Sequence, residues 1–336
     1  METKAVAEVV QSGHWAGGER VASLEESLAG LFSARGAVAI GSGVGALRLA
    51  LMGLGVRAGT PVVVPGYSCV ALANAVLALG ARPVPVDCAV GEVNPNPSEI
   101  VAKAQQVEAF LAVVVHTFGQ PVDLAPLKNA GLIVVEDCSH GMPWNQDGTP
   151  RPLEGDAAVL SFYATKLIGG GEGGAVVTND TDVLESVLDL RDYTDKAAMG
   201  VRLNDKMNDL EAALAQCQLS RLPSLVEARA ERAARYRKRL SEMVPSKAGT
   251  SLPPEYPGRI WYRYTVRLPS FDLDRVMAQM LALGVQTARP VSLWVDRADC
   301  PEAHRTESEI LSLPLYPTLG VVEQDTVVSA LRQILS

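Results

Sequence analysis

Lys166 lies in the segment Ser161-Phe162-Tyr163-Ala164-Thr165-Lys166-Leu167-Ile168-Gly169-Gly170-Gly171-Glu172-Gly173-Gly174, which closes with five glycines in six residues. It is one of eight lysines and stands among apolar and glycine residues rather than among other charges. A lysine in such surroundings is a candidate nucleophile. A loop lysine is more commonly a solvated surface charge, so its neighbours in space decide the matter. Upstream, Leu132-Ile133-Val134-Val135-Glu136-Asp137 is an apolar run that ends in two acids. Ligands of open α/β sheets bind at the carboxyl ends of strands, although an acid there can equally cap the next helix. Earlier still, Ile40-Gly41-Ser42-Gly43-Val44-Gly45-Ala46-Leu47 passes through a glycine turn into a helix, where backbone N–H groups can cradle phosphate. Alone that turn is a weak signal, and it lacks the lysine of a nucleotide-binding loop. A phosphate cradle, an acid at a strand end and a lysine in a glycine loop together supply what pyridoxal phosphate requires.

Short Val-, Ile- and Ala-rich runs must position these residues: 37–40, 61–64, 83–86, 111–116, 132–135 and 157–162. Continuous apolar runs of this length suit strands buried on both faces. Helical spacing fills the gaps at 46–54, 70–79, 98–107 and 124–130, and the alternation predicts a mostly parallel sheet flanked by helices. From Asp182 to Arg191 and from Asp209 to Leu240 helix formers dominate, with a break near Leu222-Pro223. A Pro/Gly cluster at 253–258 precedes a strand-like Trp261-Tyr262-Arg263-Tyr264-Thr265-Val266 and a helix from Asp272 to Leu283. The expected division is a large domain over 1–242, with an N-terminal helical segment, and a smaller C-terminal α+β domain over 243–336.

At 336 residues and 48% hydrophobic, the chain can bury a core of that size. The net charge of -8 comes from scattered residues, which argues against a nucleic-acid stripe or a polybasic membrane patch. No apolar run approaches the roughly 18–20 residues of a membrane span, and the N-terminal stretch lacks the pattern of a signal peptide, so the expectation is a cytoplasmic protein. The five cysteines, Cys69, Cys88, Cys138, Cys217 and Cys300, have no paired spacing, which suggests neither disulfides nor a metal site. Arg191, Lys206 and Arg289 are candidate anion contacts, with exposed ion pairs as their commoner role. His14 and His116 are expected to be structural or lining residues.

The chain resembles the DegT/StrS-type sugar aminotransferases, which belong to fold type I of the pyridoxal phosphate enzymes. The resemblance runs from Gly13-His14-Trp15 to Leu311-Ser312-Leu313-Pro314-Leu315-Tyr316-Pro317. Its most specific part is Ser161 to Lys166 followed by Gly171-Glu172-Gly173-Gly174. The resemblance implies that Lys166 carries the cofactor as a Schiff base, that Ser161 binds its phosphate and that Asp137 pairs with its pyridine nitrogen. The stretch Asn204-Asp205-Lys206-Met207-Asn208-Asp209 matches one whose Asn, here Asn204, reaches the phosphate of the neighbouring subunit of a homodimer.

Departures from the family pattern fall in the cofactor site itself. Val44 stands where a Thr is usual, followed by Gly45, which leaves the phosphate beside Gly43 to backbone amides. Cys69 takes the place of a stacking aromatic ring, and His140 that of a Gln that meets the cofactor's phenolic oxygen. The implied reaction is transfer of an amino group from an amino acid, glutamate by expectation, to a nucleotide-linked keto sugar. Alternatives are a sugar dehydratase, a cyclitol aminotransferase, and a non-catalytic regulatory or scaffold protein on the same fold.

Overall fold

The computed structural model describes every residue except 143, 146–147, 195–199, 242–248 and 336. Near the N-terminus, α1 (Glu2–Ser12) and α2 (Glu19–Leu31) precede the first strand. The apolar runs form β1 (Gly36–Ile40), β2 (Pro61–Pro65), β3 (Arg82–Val86), β4 (Leu111–Val115), β5 (Ile133–Asp137), β6 (Ala157–Ser161) and β7 (Gly174–Thr178). Among the described residues these join in one sheet ordered β1-β7-β6-β5-β4-β2-β3. β7 runs antiparallel to both its neighbours, and the remaining pairs are parallel. The fold class is therefore the α/β, mostly parallel mixed sheet that the alternation predicts.

β7 was not among the expected strands. Gly174-Ala175-Val176-Val177-Thr178 issues directly from the glycine run, which hides its short apolar stretch. Its direction matters to the site. Because β7 is reversed, its first residues lie at the edge where β6 ends, with Gly174 opposite Ser161.

The crossovers supply helices on both faces: α3 (Gly43–Gly53), α4 (Val70–Leu77), α5 (Pro97–Val107), α6 (Ala125–Asn129) and α7 (Thr181–Arg191). α8 (Asp209–Leu219) packs against α1 and α2. α9 (Leu222–Leu240) leads to β8 (Tyr264–Arg267), α10 (Leu273–Ala282), α11 (Pro301–Glu309), β9 (Ile310–Leu313) and α12 (Val321–Leu335). β8 and β9 pair antiparallel.

The expected domain boundary near 243 lies outside the described residues. On its near side, Ala233, Tyr236 and Leu240 of α9 pack with Tyr264, Val266, Leu311 and Leu331 in a C-terminal core. On its far side, Ile260, Tyr262, Val291, Cys300, Ala303 and Ile310 belong to the core that includes Val21, Leu24, Phe118 and Ala158. The Asp87 carboxylate fastens this return, accepting hydrogen bonds from the N–H groups of Glu302 (2.8 Å) and Ala303 (2.7 Å) in the first turn of α11. A carboxylate at a helix N-terminus satisfies otherwise orphaned donors.

Candidate active site

β1, β2, β4, β5 and β6 all end at one edge of the sheet, so the residues that follow them converge. Side chains alternate along a strand, and Asp137 lies on the face shared by Val135 while Glu136 lies on the other. Register places Val115 beside Asp137 and Asp137 beside Val159, two residues before Ser161. Above this edge is a cavity of about 310 Å³ lined by Gly43, Val44, Cys69, Asp137, His140, Ser161 and Lys166, with Tyr67, Thr117 and Tyr163 among its other walls.

The N-terminus of α3 comes down on Ser161. A Cβ on Gly43 would stand 2.7 Å from Ser161 Cβ and 2.9 Å from its Oγ, so only glycine permits this approach. Ser42 caps the helix, its Oγ accepting a hydrogen bond from the Gly45 N–H at 3.0 Å. Gly45 is thereby committed to the cap, and it is not among the residues that line the cavity. Gly43, Val44 and the Ser161 hydroxyl remain to make an anion cradle at a helix N-terminus.

Asp137 is buried, and its Oδ1 accepts the Ser139 N–H at 2.8 Å. The neighbouring Glu136 faces the other way. Burial pushes its carboxyl up, but hydrogen bonds from His116 and from the N–H groups of Gly155 and Glu154 outweigh this and hold it below the usual range. The Val122 N–H donates to His116 Nδ1 (3.2 Å), which leaves Nε2–H to donate to Glu136 (3.0 Å). His116, Glu136 and Cys138 form a buried cluster of metal-ligand types. Both ring nitrogens of His116 are taken, and burial pushes the Cys138 thiol up, so the cluster is a structural clasp.

Lys166 is half-buried in a tight loop. Phe162 N–H bonds to Gly173 O (2.8 Å), Ala164 N–H to Gly171 O (3.0 Å) and Lys166 N–H to Tyr163 O (2.8 Å). Its Nζ lies 5.5 Å from the centroid of the Tyr262 ring. That ring stacks on His140 at 4.8 Å and 19°, and His140 stacks on Phe118 at 5.7 Å and 18°. Burial and the charges of Lys166 and Arg263 hold the His140 imidazole well below its ordinary pKa, so it is neutral. Phe118 carries its ring from a left-handed backbone (φ 55°) followed by Gly119 (φ 79°). A Cβ on Gly119 would stand 1.6 Å from the Ile260 carbonyl oxygen. The strained turn thus lets the segment bearing Tyr262 pass close under the site.

On the other side of Lys166 opens a cleft of about 640 Å³, walled by Arg229, Tyr262, Arg263, Thr287, Ser312 and Tyr316 among others. These residues were not anticipated as functional. The one visible sign was an arginine inside the apolar, aromatic run 261–266. The three candidate anion contacts are instead engaged by acids: Arg191 by Glu25 (2.6 Å), Lys206 by Asp192 (2.5 Å) and Arg289 by Asp274. Asn204 is exposed, paired through its backbone with Asp192, and is not among the cavity's lining residues. Cys69 lines the cavity at the N-cap of α4 with no side-chain hydrogen bond there.

The site fits pyridoxal phosphate. Tyr67, Thr117 and His140 line the cavity, and Tyr67 Oη, Thr117 Oγ1 and His140 Nδ1 are buried with no hydrogen-bond partner among the described residues. Unpaired buried polar groups each cost roughly 1–3 kcal/mol, and a ligand with several polar substituents around an apolar ring relieves that cost. The cradle at Gly43 and Ser161 suits its phosphate, Asp137 its pyridine nitrogen and Lys166 its carbonyl carbon.

Known proteins place the chain. The sequence profile of the DegT/DnrJ/EryC1/StrS aminotransferase family matches residues 1–332. The dTDP-3-amino-3,4,6-trideoxy-alpha-D-glucose transaminase of Micromonospora megalomicea subsp. nigra is 31% identical, over 99% of this chain and 94% of its own. A pleiotropic regulatory protein of Geobacillus stearothermophilus is 29% identical, over 97% of this chain and 92% of its own. The crystal structure of a DegT DnrJ EryC1 StrS aminotransferase from Brucella abortus superposes with a TM-score of 0.89 at 25% identity, covering 100% of this chain and 95% of that one. No helix among the described residues is long and apolar enough to cross a membrane. With a lysine, an acid and an anion cradle around one cavity, and a family profile running almost end to end, the chain belongs to the DegT/DnrJ/EryC1/StrS aminotransferase family and is a pyridoxal-phosphate-dependent aminotransferase.

Proposed function

We propose that the enzyme moves an amino group from an amino acid, glutamate in the first instance, to a keto sugar carried on a nucleotide, with Lys166 and Asp137 as its catalytic residues. The observation that carries this reading is that Lys166, Asp137, Ser161 and the first residues of α3 line a single cavity. The Micromonospora relative, named for a transaminase of a dTDP-linked amino sugar, supports the acceptor class.

When bound, pyridoxal phosphate supplies a protonated ring that withdraws electrons from the carbon bearing the migrating amine. Asp137, steadied by the Ser139 N–H, holds the proton at the ring nitrogen. Ser161 and the N–H groups that open α3 hold the phosphate. Lys166 Nζ would hold the cofactor at its carbonyl carbon and, when free, would move the proton at the reacting carbon. His140, a neutral imidazole kept in place by its stack with Tyr262 and Phe118, would be the hydrogen-bond partner of the cofactor's phenolic oxygen. The active form is a symmetric homodimer in which Asn204 of each subunit serves the other's phosphate site. Its exposure, and the exposed apolar side chains Val44, Val70 and Tyr163 at or next to the cavity, favour a covering subunit.

Borohydride reduction of the protein with its cofactor, followed by peptide mapping, tests the assignment. The label is expected on Lys166, and the visible absorbance of the lysine-bound cofactor should bleach when glutamate is added. Labelling of a different lysine, or a spectrum indifferent to every amino donor, would reject the reading.

A further inference from the structure

Arg229 and Arg263 stand apart from the other arginines near the site. Arg263 places its guanidinium carbon 5.4 Å from the centroid of Tyr262, the ring against which Lys166 also lies. Its Nη1 reaches Ser312 Oγ over a long 3.3 Å, and its Nε is buried with no partner. Arg229 is 8% exposed and, among the described residues, donates only to the backbone carbonyls of Tyr262 (3.2 Å) and Leu315 (3.0 Å). Among the described residues neither guanidinium meets a carboxylate. Both wall the cleft of about 640 Å³ that Lys166 opens onto, and no acid among the described residues lines it. On the same wall Thr287 Oγ1 is buried and unpartnered.

Buried cations without counter-charge are expensive, and guanidinium forks match planar oxyanions. We propose that this cleft is an oxyanion site in which Arg263, backed by Arg229 and Thr287, binds the carboxylate or phosphoryl group of a substrate. A carboxylate is favoured. Arg263 and Lys166 lie 5.4 and 5.5 Å from the centroid of the same ring and wall the same cleft, so an anion held at Arg263 shares that cleft with the reacting amine. The site deepens the transamination reading and rests on it only in calling the anion a substrate's.

Calorimetric titration of the holoenzyme, whose phosphate cradle is already filled, tests it with succinate in one arm and inorganic pyrophosphate in the other. R263Q should weaken binding of the preferred anion about ten-fold or more, and T287V by a smaller factor in the same arm. Loss in the succinate arm alone identifies a donor carboxylate, loss in the pyrophosphate arm alone an acceptor phosphoryl group, and loss in both a site that serves each half-reaction. Circular dichroism verifies folding, and if R263Q fails to fold, T287V decides by itself. Wild-type protein that binds neither anion, or folded variants that bind both as tightly as wild type, overturn the proposal. Failure of Lys166 to take the borohydride label while anion binding persists would overturn the transamination reading and leave the oxyanion site standing.

Discussion

Tyr262 joins the two sides of the site, with His140 stacked on its ring and both Lys166 and Arg263 against it. The division of labour around that ring makes Asp137 separable from Lys166. Asp137→Asn keeps the Ser139 contact possible but removes the charge that holds a proton on the pyridine nitrogen. Single-turnover reaction with glutamate should slow at least about 100-fold while the circular dichroism spectrum stays unchanged, and near-normal turnover would remove Asp137 from the mechanism. His140 gives a pH signature. Its folded pKa is depressed, so above the unfolded value of about 6.5 it costs nothing, and below that the unfolded chain takes the proton first. Stability measured by denaturant should therefore fall as pH drops below about 6.5, and His140→Gln should lack that component of the fall. Lys166 and Asp137 stood out as candidates in the sequence because each lies at or just after a strand end with a distinctive neighbourhood, and Ser161 did so through the family resemblance of its segment. Tyr262, Arg229 and Arg263 were not, since nothing in their own segments says that they return to the sheet's edge.

Among the elements, the turn after β4 carries a constraint on which the site depends. Phe118 and Gly119 both adopt left-handed backbone, and Gly119 lies against the Ile260 carbonyl. Gly119→Ala adds an unfavourable conformation to a clash with backbone that has no flexible end to move. Chemical denaturation should register a loss of roughly 3 kcal/mol or more, accompanied by weaker cofactor retention as Tyr262 shifts. An unchanged midpoint would mean that the segment is free to move aside. The strands whose apolar runs are continuous were readable to within a residue or two. β7 and β9 were not, because Gly174–Thr178 is masked by its glycine-rich approach and Ile310–Leu313 follows directly from α11.

At the scale of the whole molecule, the homodimer proposal turns on Asn204, whose side chain is exposed while its backbone pairs beside Asp192. Mixing Lys166→Ala subunits with an inactive Asn204→Ala variant should regenerate activity in hybrid dimers, where one site combines an intact Lys166 with the Asn204 of the other subunit. Demonstrated subunit exchange without any recovered activity would place Asn204 outside the shared site. The alternation of strands and helices made the sheet half legible. The sharing of cores was not: α9 reads as a continuation of the helical region, yet its C-terminal half belongs with β8 and β9.

The return of Ile260, Tyr262 and the stretch from Val291 to Ile310 to the first core has a consequence for how the protein is made. A ribosome releases Phe118 and Ala158 long before Cys300 and Ala303, and at roughly 5–20 residues per second the delay is on the order of ten seconds or more. During that interval the nascent sheet has helices on its faces but an open seam where Ile260, Tyr262 and α11 will dock. Ribosome-bound chains halted before residue 260 should therefore remain open to protease and attractive to chaperones, and resistance should arrive only once α11 has emerged.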